Sequence, residues 1–152
     1  MNLKGYLYKL LKTPFAMTPQ ELFELALAYY NGTDNIPQDY LKAYDLFLEA
    51  ATAGHVAAQS YMGRMLCMGE GVERNYSEAL KWLRFAAEAG DADAQNRLGV
   101  RYEYGQGVNQ DYAEAARLFK LSAEQGHVKA QVNLAVFYKD GSGVEQDYHK
   151  AH

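Results

Sequence analysis

Several residues in this chain have types and spacings that could do chemistry. Residues 104–115 read YGQGVNQDYAEA, and the Gly-Gln-Gly inside them could open a phosphate-cradling loop, because glycines let backbone N–H groups close round an anion. His149 and His152 lie three apart and could share a metal ion, while His55 and His127 are further candidate ligands. Cys67, the single cysteine, would be a nucleophile if a base stood beside it. The 13 tyrosines could line an aromatic cage.

Recurrence decides the first case. Stretches matching residues 104–115 occur at 32–43 (GTDNIPQDYLKA), 68–79 (MGEGVERNYSEA) and 140–151 (DGSGVEQDYHKA), so the starts are 36 apart. A nucleotide site needs its loop once, whereas a turn between stacked helices is needed in every repeat. No G-x-x-x-x-G-K-[ST] pattern is present either. His55 and His127 each follow a repeat-ending glycine and have no His or Cys at metal spacing, which points to a helix-start role. His149 and His152 read as a frayed polar tail, and Cys67, with no nearby His, as a small side chain on a helix. Most tyrosines repeat with the period, as core and turn residues do. The reading is therefore of no catalytic residue, no metal ligand and no cofactor.

Composition bounds the partners. The 152 residues are 49% hydrophobic and 22% charged, with a formal net charge of -4, which suits one folded domain. A chain of this length can bury about 68–70% of its unfolded surface without a staple. The acidic balance, with no run of Lys or Arg, argues against nucleic acid. One cysteine cannot make an internal disulfide, which fits a reducing cytoplasm. Lys4, Lys9 and Lys12 interrupt the apolar start, so neither a signal peptide nor a membrane span is read there.

Within each repeat the apolar spacing is helical. Tyr76, Ala79, Leu80, Leu83, Ala86 and Ala87 advance by threes and fours, as do Tyr112, Ala115, Ala116, Phe119 and Ala123, and Tyr40, Ala43, Tyr44, Phe47, Ala50 and Ala51. This second helix of each repeat, helix B, is expected to start at Asp39, Asn75, Asp111 and Asp147, with Glu78 and Glu114 completing capping boxes. It is expected to end at Gly54, Gly90 and Gly126. A shorter helix A turns inward Ala58, Met62 and Leu66, then Ala94, Leu98 and Tyr102, then Ala130, Leu134 and Tyr138. Gly63, Gly99 and Ala135 beside them would let the two helices approach closely. The glycine pairs Gly69 and Gly71, Gly105 and Gly107, and Gly141 and Gly143 are then structural turns, with Val72, Val108 and Val144 plugging the gap beneath. The first copy departs, carrying Gly32 one place early and Asn35 for the second glycine.

The pattern of Ala94, Leu98, Gly99, Tyr102, Gly105, Gly107, Val108, Asp111, Ala115, Leu118, Ala123 and Gly126 resembles the Sel-one-like repeat (SLR), a relative of the tetratricopeptide repeat (TPR). Trp82 holds the characteristic aromatic position in the second copy, and the resemblance runs through residues 21–152. It implies an all-α protein, an α/α right-handed solenoid of TPR-like helical hairpins, that acts as a protein-interaction adaptor without catalysis. Some secreted relatives join their helix pairs by disulfides, and this chain lacks those cysteines.

The expected organisation is an N-terminal amphipathic capping helix over residues 1–17, striped by Leu3, Tyr6, Leu7, Leu10 and Leu11, and a single solenoid domain over 18–152. Its repeats are 18–54, 55–90, 91–126 and an incomplete 127–152, the first opened by Thr18, Pro19 and Glu21. A basic amphipathic helix could instead lie on a membrane surface. The fourth helix A lacks its partner, so either the chain continues naturally or another molecule covers Leu134 and Tyr138, and exposed Leu134, Tyr138 and Val144 are expected either to make the chain self-associate or to leave its last residues mobile. In the tetratricopeptide relatives helix A lines the concave groove, which here implicates Glu24, Ser60, Tyr61, Arg64, Asn96, Arg97, Val100, Glu103, Val132, Asn133, Val136 and Lys139. A protein or peptide is the expected ligand, with Arg64 and Arg97 meeting its carboxylates and Tyr61 its apolar part. The rivals are a small-molecule binder or enzyme using the groove, and a structural oligomeriser.

Overall fold

A computed structural model describes residues 17–140 of the chain. Among them all regular structure is helical: seven helices of 13 residues each. They fall in two compact units, one running through Arg74 and the other starting at Asn75. The first holds α1 (Pro19–Asn31), α2 (Tyr40–Thr52) and α3 (Val56–Met68). The second holds α4 (Tyr76–Glu88), α5 (Ala92–Tyr104), α6 (Tyr112–Glu124) and α7 (Val128–Asp140). Within each unit every helix packs on the one before it in sequence, the arrangement of an all-α solenoid of helical hairpins. The expected N-terminal helix, with Leu3 to Leu11, lies outside the described residues, as do Gly141, Gly143, Val144, Asp147, His149 and His152.

Helix B starts where the Asp and Asn side chains predict. Asp39, Asn75 and Asp111 accept the amides of Lys42, Glu78 and Glu114 at 3.0–3.1 Å. The capping boxes take a different form. The carboxylates of Glu78 and Glu114 bind Lys81 and Arg117 one turn on. At Asp111 the physical reason is visible: its backbone N–H already donates to the Tyr102 carbonyl at 2.9 Å, so no orphan donor waits for Glu114. Asp39 donates to Tyr29 in the same way, at 2.8 Å, tying the start of helix B to the end of helix A.

Helix B ends in the same six-residue closure three times. His55 N–H bonds Ala50 O and Gly54 N–H bonds Ala51 O, and the pairs Asp91–Ala86 with Gly90–Ala87, and His127–Ser122 with Gly126–Ala123, repeat it. This is the Schellman pattern, whose left-handed position falls on Gly54, Gly90 and Gly126 at φ 93°, 96° and 85°. The next residue then caps the next helix A: Nδ1 of His55 and His127 accepts from Ala58 and Ala130 at 3.2 Å, and Asp91 accepts from Ala94 at 2.8 Å. The helix-start reading of both histidines holds. Thr18 caps α1 with Pro19 at its first turn, also as read.

The stripes form the cores. Ala43, Phe47, Ala58 and Met62 are fully buried in the first unit, and Ala79, Leu83, Ala86, Ala94, Ala115, Phe119 and Ala130 in the second. Each such large side chain contributes about 1.5–3 kcal/mol of burial free energy. Tyr112 is the exception, 42% exposed, with its ring edge against Phe137. Gly99 is needed for close approach, since a Cβ there would sit 2.7 Å from the Phe119 ring. Ala135 is exposed, and Leu134 and Tyr138 are half-buried where the sequence suggested an open apolar end. Leu134 packs on the cluster of Ala115, Ala116, Phe119 and Phe137.

Candidate functional site: the helix-A face

The glycine turns come first, because the phosphate-loop reading stood on them. Gly69 and Gly105 close α3 and α5 in the left-handed region at φ 70° and 63°, as Met65 and Arg101 carbonyls accept their amides. Gly71 and Gly107, at φ 74° and 76°, press on the preceding repeat: a Cβ at either would lie 2.7 Å from the Tyr40 backbone or 2.9 Å from that of Tyr76. The residue between each pair bonds a tyrosine. Glu70 accepts the Tyr30 hydroxyl at 2.8 Å, and Gln106 donates to the Tyr76 hydroxyl at 3.4 Å. These turns pack one repeat on the one before it, and the amides of Gly69, Glu70, Gly105 and Gln106 bond the helix-end carbonyls of Met65 and Arg101.

In the first unit the expected groove residues divide. Glu24 is exposed on α1, whereas Ser60 is buried on α3. The Tyr61 ring stacks on Phe47 at 4.7 Å and 15°, with Tyr30 at 5.2 Å and Phe23 at 5.9 Å, so it belongs to an aromatic cluster joining α1, α2 and α3. Arg64 lies over the Tyr30 ring at 5.6 Å and pairs with Glu70 at 3.5 Å, while its buried Nε makes no hydrogen bond. Burial and the hydrogen-bonded Glu70 carboxylate push the Tyr30 phenol well above its ordinary range. The guanidinium expected to meet a ligand carboxylate is therefore already matched within the chain.

The second unit repeats that outcome with other residues. Arg97 forms a 2.8 Å ion pair with Asp93, whose other oxygen lies 3.5 Å from His127 Nε2. Burial would raise the Asp93 pKa, but Arg97 and then His127 outweigh it and hold the carboxyl below its usual value. Asn96 is buried on α5 and accepts from Asn133 Nδ2 of α7 at 3.0 Å, so one carboxamide pair spans the two helices. Val100 packs on the Phe119 cluster, although the stripe pattern did not require it there. Glu103 is half-buried, which raises its carboxyl pKa. Val132 and Val136 stay 58% and 46% exposed, one turn apart on α7, with Lys139 exposed beyond them.

What remains open on this face is thus a valine ridge flanked by carboxamides and internally paired charges. It can bury apolar side chains and exchange hydrogen bonds with a peptide backbone. Among the described residues no three His, Cys, Asp or Glu side chains group to hold a metal, and Cys67 is buried. No helix among them is long and apolar enough to cross a membrane.

One set of polar residues escaped the sequence reading. Gln59, Gln95 and Gln131 each reach back eight residues to bond a helix-B carbonyl, of Ala51, Ala87 and Ala123, at 3.2–3.3 Å. Their 36-residue spacing was a signal available in the sequence alone.

Comparison with known families and structures agrees with the repeat fold. The Sel1 repeat description matches residues 22–55, 56–91, 92–127 and 128–152. A protective antigen present in uropathogenic Escherichia coli strains, displaying an SLR fold, is 34% identical with a TM-score of 0.87. The match covers 99% of this chain and 31% of that one. A Sel1 repeat protein from Oxalobacter formigenes is 36% identical with a TM-score of 0.80, over 88% of this chain and 54% of that one. The chain thus spans about a third to a half of the solved structures it resembles. No curated protein sequence matches it.

Proposed function

Because the chain belongs to the Sel1 repeat family, whose members generally serve as protein-interaction scaffolds, we propose that it is a non-enzymatic adaptor that holds a peptide segment on the helix-A face of its repeats. The observation carrying this reading is the exposed pair Val132 and Val136 beside the Asn96–Asn133 carboxamides. Exposed apolar groups among satisfied polar ones suit a peptide surface. Arg64 and Arg97 contribute through exchange: a partner carboxylate at either guanidinium competes with Glu70 or Asp93 for it. That makes them selectors for acidic segments more than sources of affinity. The family's fold is typically non-catalytic.

A phage-displayed random peptide library panned on the purified chain supplies the test. Selected peptides should lose about tenfold or more in affinity on Val132→Asp with Val136→Asp, while circular dichroism stays unchanged. Peptides that ignore both changes and depend on exposed helix-B residues such as Leu48 or Lys120 would overturn the assignment.

A further inference from the structure

The second unit contains a cavity of about 360 Å³ that the helix-A face does not include. Its α5 walls are Gln95, Leu98 and Tyr102, whereas Asn96, Val100 and Glu103 lie roughly a third of a turn or more round the same helix. Arg84, Ala87 and Glu88 of α4, Gly90 just beyond it, and Glu114, Arg117, Leu118 and Leu121 of α6 complete the lining. The volume lies in the range of about 300–1,000 Å³ that small-molecule sites occupy.

The chemistry of the lining is specific. Ala87, Leu98, Leu118 and Leu121 make an apolar floor. Of the four charges, two cancel: Arg117 holds Glu114 through two hydrogen bonds of 2.6 and 2.9 Å. Gln95 is engaged as well, donating to Ala87 O and accepting from Gln125. Arg84 is left with the Tyr102 hydroxyl at 3.5 Å and makes no ion pair among the described residues. Glu88, one turn along α4, supplies a separate negative charge at the same mouth. One uncommitted cation, one anion and an apolar floor complement a zwitterion with a hydrocarbon side chain. We propose that this cavity binds a free apolar α-amino acid of about the size of leucine or phenylalanine. Its carboxylate meets Arg84 and the Tyr102 hydroxyl, its ammonium meets Glu88, and its side chain covers the leucines. A phosphoryl dianion would face Glu88 without using the floor.

Isothermal titration of the full chain with L-leucine, 4-methylpentanoate and 3-methylbutylamine separates the contributions. The expected result is saturable leucine binding at about millimolar Kd or tighter, at least about tenfold stronger than either analogue. Arg84→Gln and Glu88→Gln, both at exposed positions, should each weaken it about tenfold. Absence of saturable binding, equal binding of 4-methylpentanoate, or indifference to both substitutions would overturn the proposal. Binding here is independent of Val132 and Val136, so its failure leaves the peptide face untouched.

Discussion

Residues 69–72 and 105–108 are two versions of one turn. Their backbones coincide: both first glycines are left-handed helix closures, and both second glycines press on a tyrosine backbone of the preceding repeat. Their side chains do not. Glu70 joins a charged network with Tyr30 and Arg64, whereas Gln106 makes one 3.4 Å contact with Tyr76 and leaves its buried Oε1 without a hydrogen bond. The main chain of the turn is fixed by sterics, and the position between the glycines is left free to carry different chemistry. A Gly-x-Gly signal here reports architecture, and individuality lies in the residues it surrounds.

The largest effect expected follows from the shared part. Gly107→Ala places a Cβ about 2.9 Å from the Tyr76 backbone at positive φ, so neither partner can yield cheaply. The expected loss is about 3 kcal/mol or more, combining the left-handed penalty with overpacking. At Gly105 the nearest atom, Gln110 Cβ, stands 3.3 Å away and needs to give by only a few tenths of an ångström, so alanine should cost mainly the backbone term, about 1 kcal/mol. Urea unfolding of both variants measures the ratio. Equal losses would show that contact with the preceding repeat does not govern the second glycine.

Legibility follows the same division. Caps, closures and stripes are local, decided within a few residues and repeated at 36, so Asp39, Asn75, Gly54 and Phe47 take the places the pattern assigns. Chemistry set by distant neighbours was not legible. Asn96 and Ser60 look like solvated helix residues in one dimension, yet both are buried, and Asn96 meets Asn133 across 37 positions. Arg64 and Arg97 had several carboxylates within reach, and only the packed geometry selects Glu70 and Asp93. The cavity at Arg84 draws on three helices, so no single segment advertises it.

A smaller effect comes from exchanging the side chains of the two turns. Glu70→Gln leaves a carbonyl to accept the Tyr30 hydroxyl but removes the charge that Arg64 pairs with. The stability change should be about 0.5–1 kcal/mol, because the ion pair is partly exposed and one hydrogen bond survives. The clearer readout is Tyr30 itself. With the carboxylate gone its phenol should titrate at lower pH, still raised by burial, in a near-ultraviolet absorbance titration. An unmoved titration would mean that burial alone sets it.

The smallest effect concerns the residue that starts helix A, where the repeats again share a backbone role and differ in side chain. His55 and Asp91 occupy equivalent positions, and each accepts an amide three residues on. Asp91 does so as a carboxylate, whereas His55 must be neutral, because its Nδ1 lone pair receives Ala58 N–H. Burial lowers the His55 pKa from its ordinary 6.5, and the ring also stacks on Phe23 at 4.5 Å. The unfolded chain therefore binds the proton more readily than the folded one. Stability from this group is complete above about pH 6.5 and is lost as pH falls from there toward the lower folded value. His55→Asp should remove that portion of the acid loss, since an aspartate does not titrate until about pH 4. Thermal midpoints taken on either side of the histidine range give the comparison. The substitution can lower both midpoints through the lost Phe23 stack, so the difference between them carries the result. A variant whose midpoint falls with acid as steeply as the parent's would place the acid sensitivity elsewhere than at this cap.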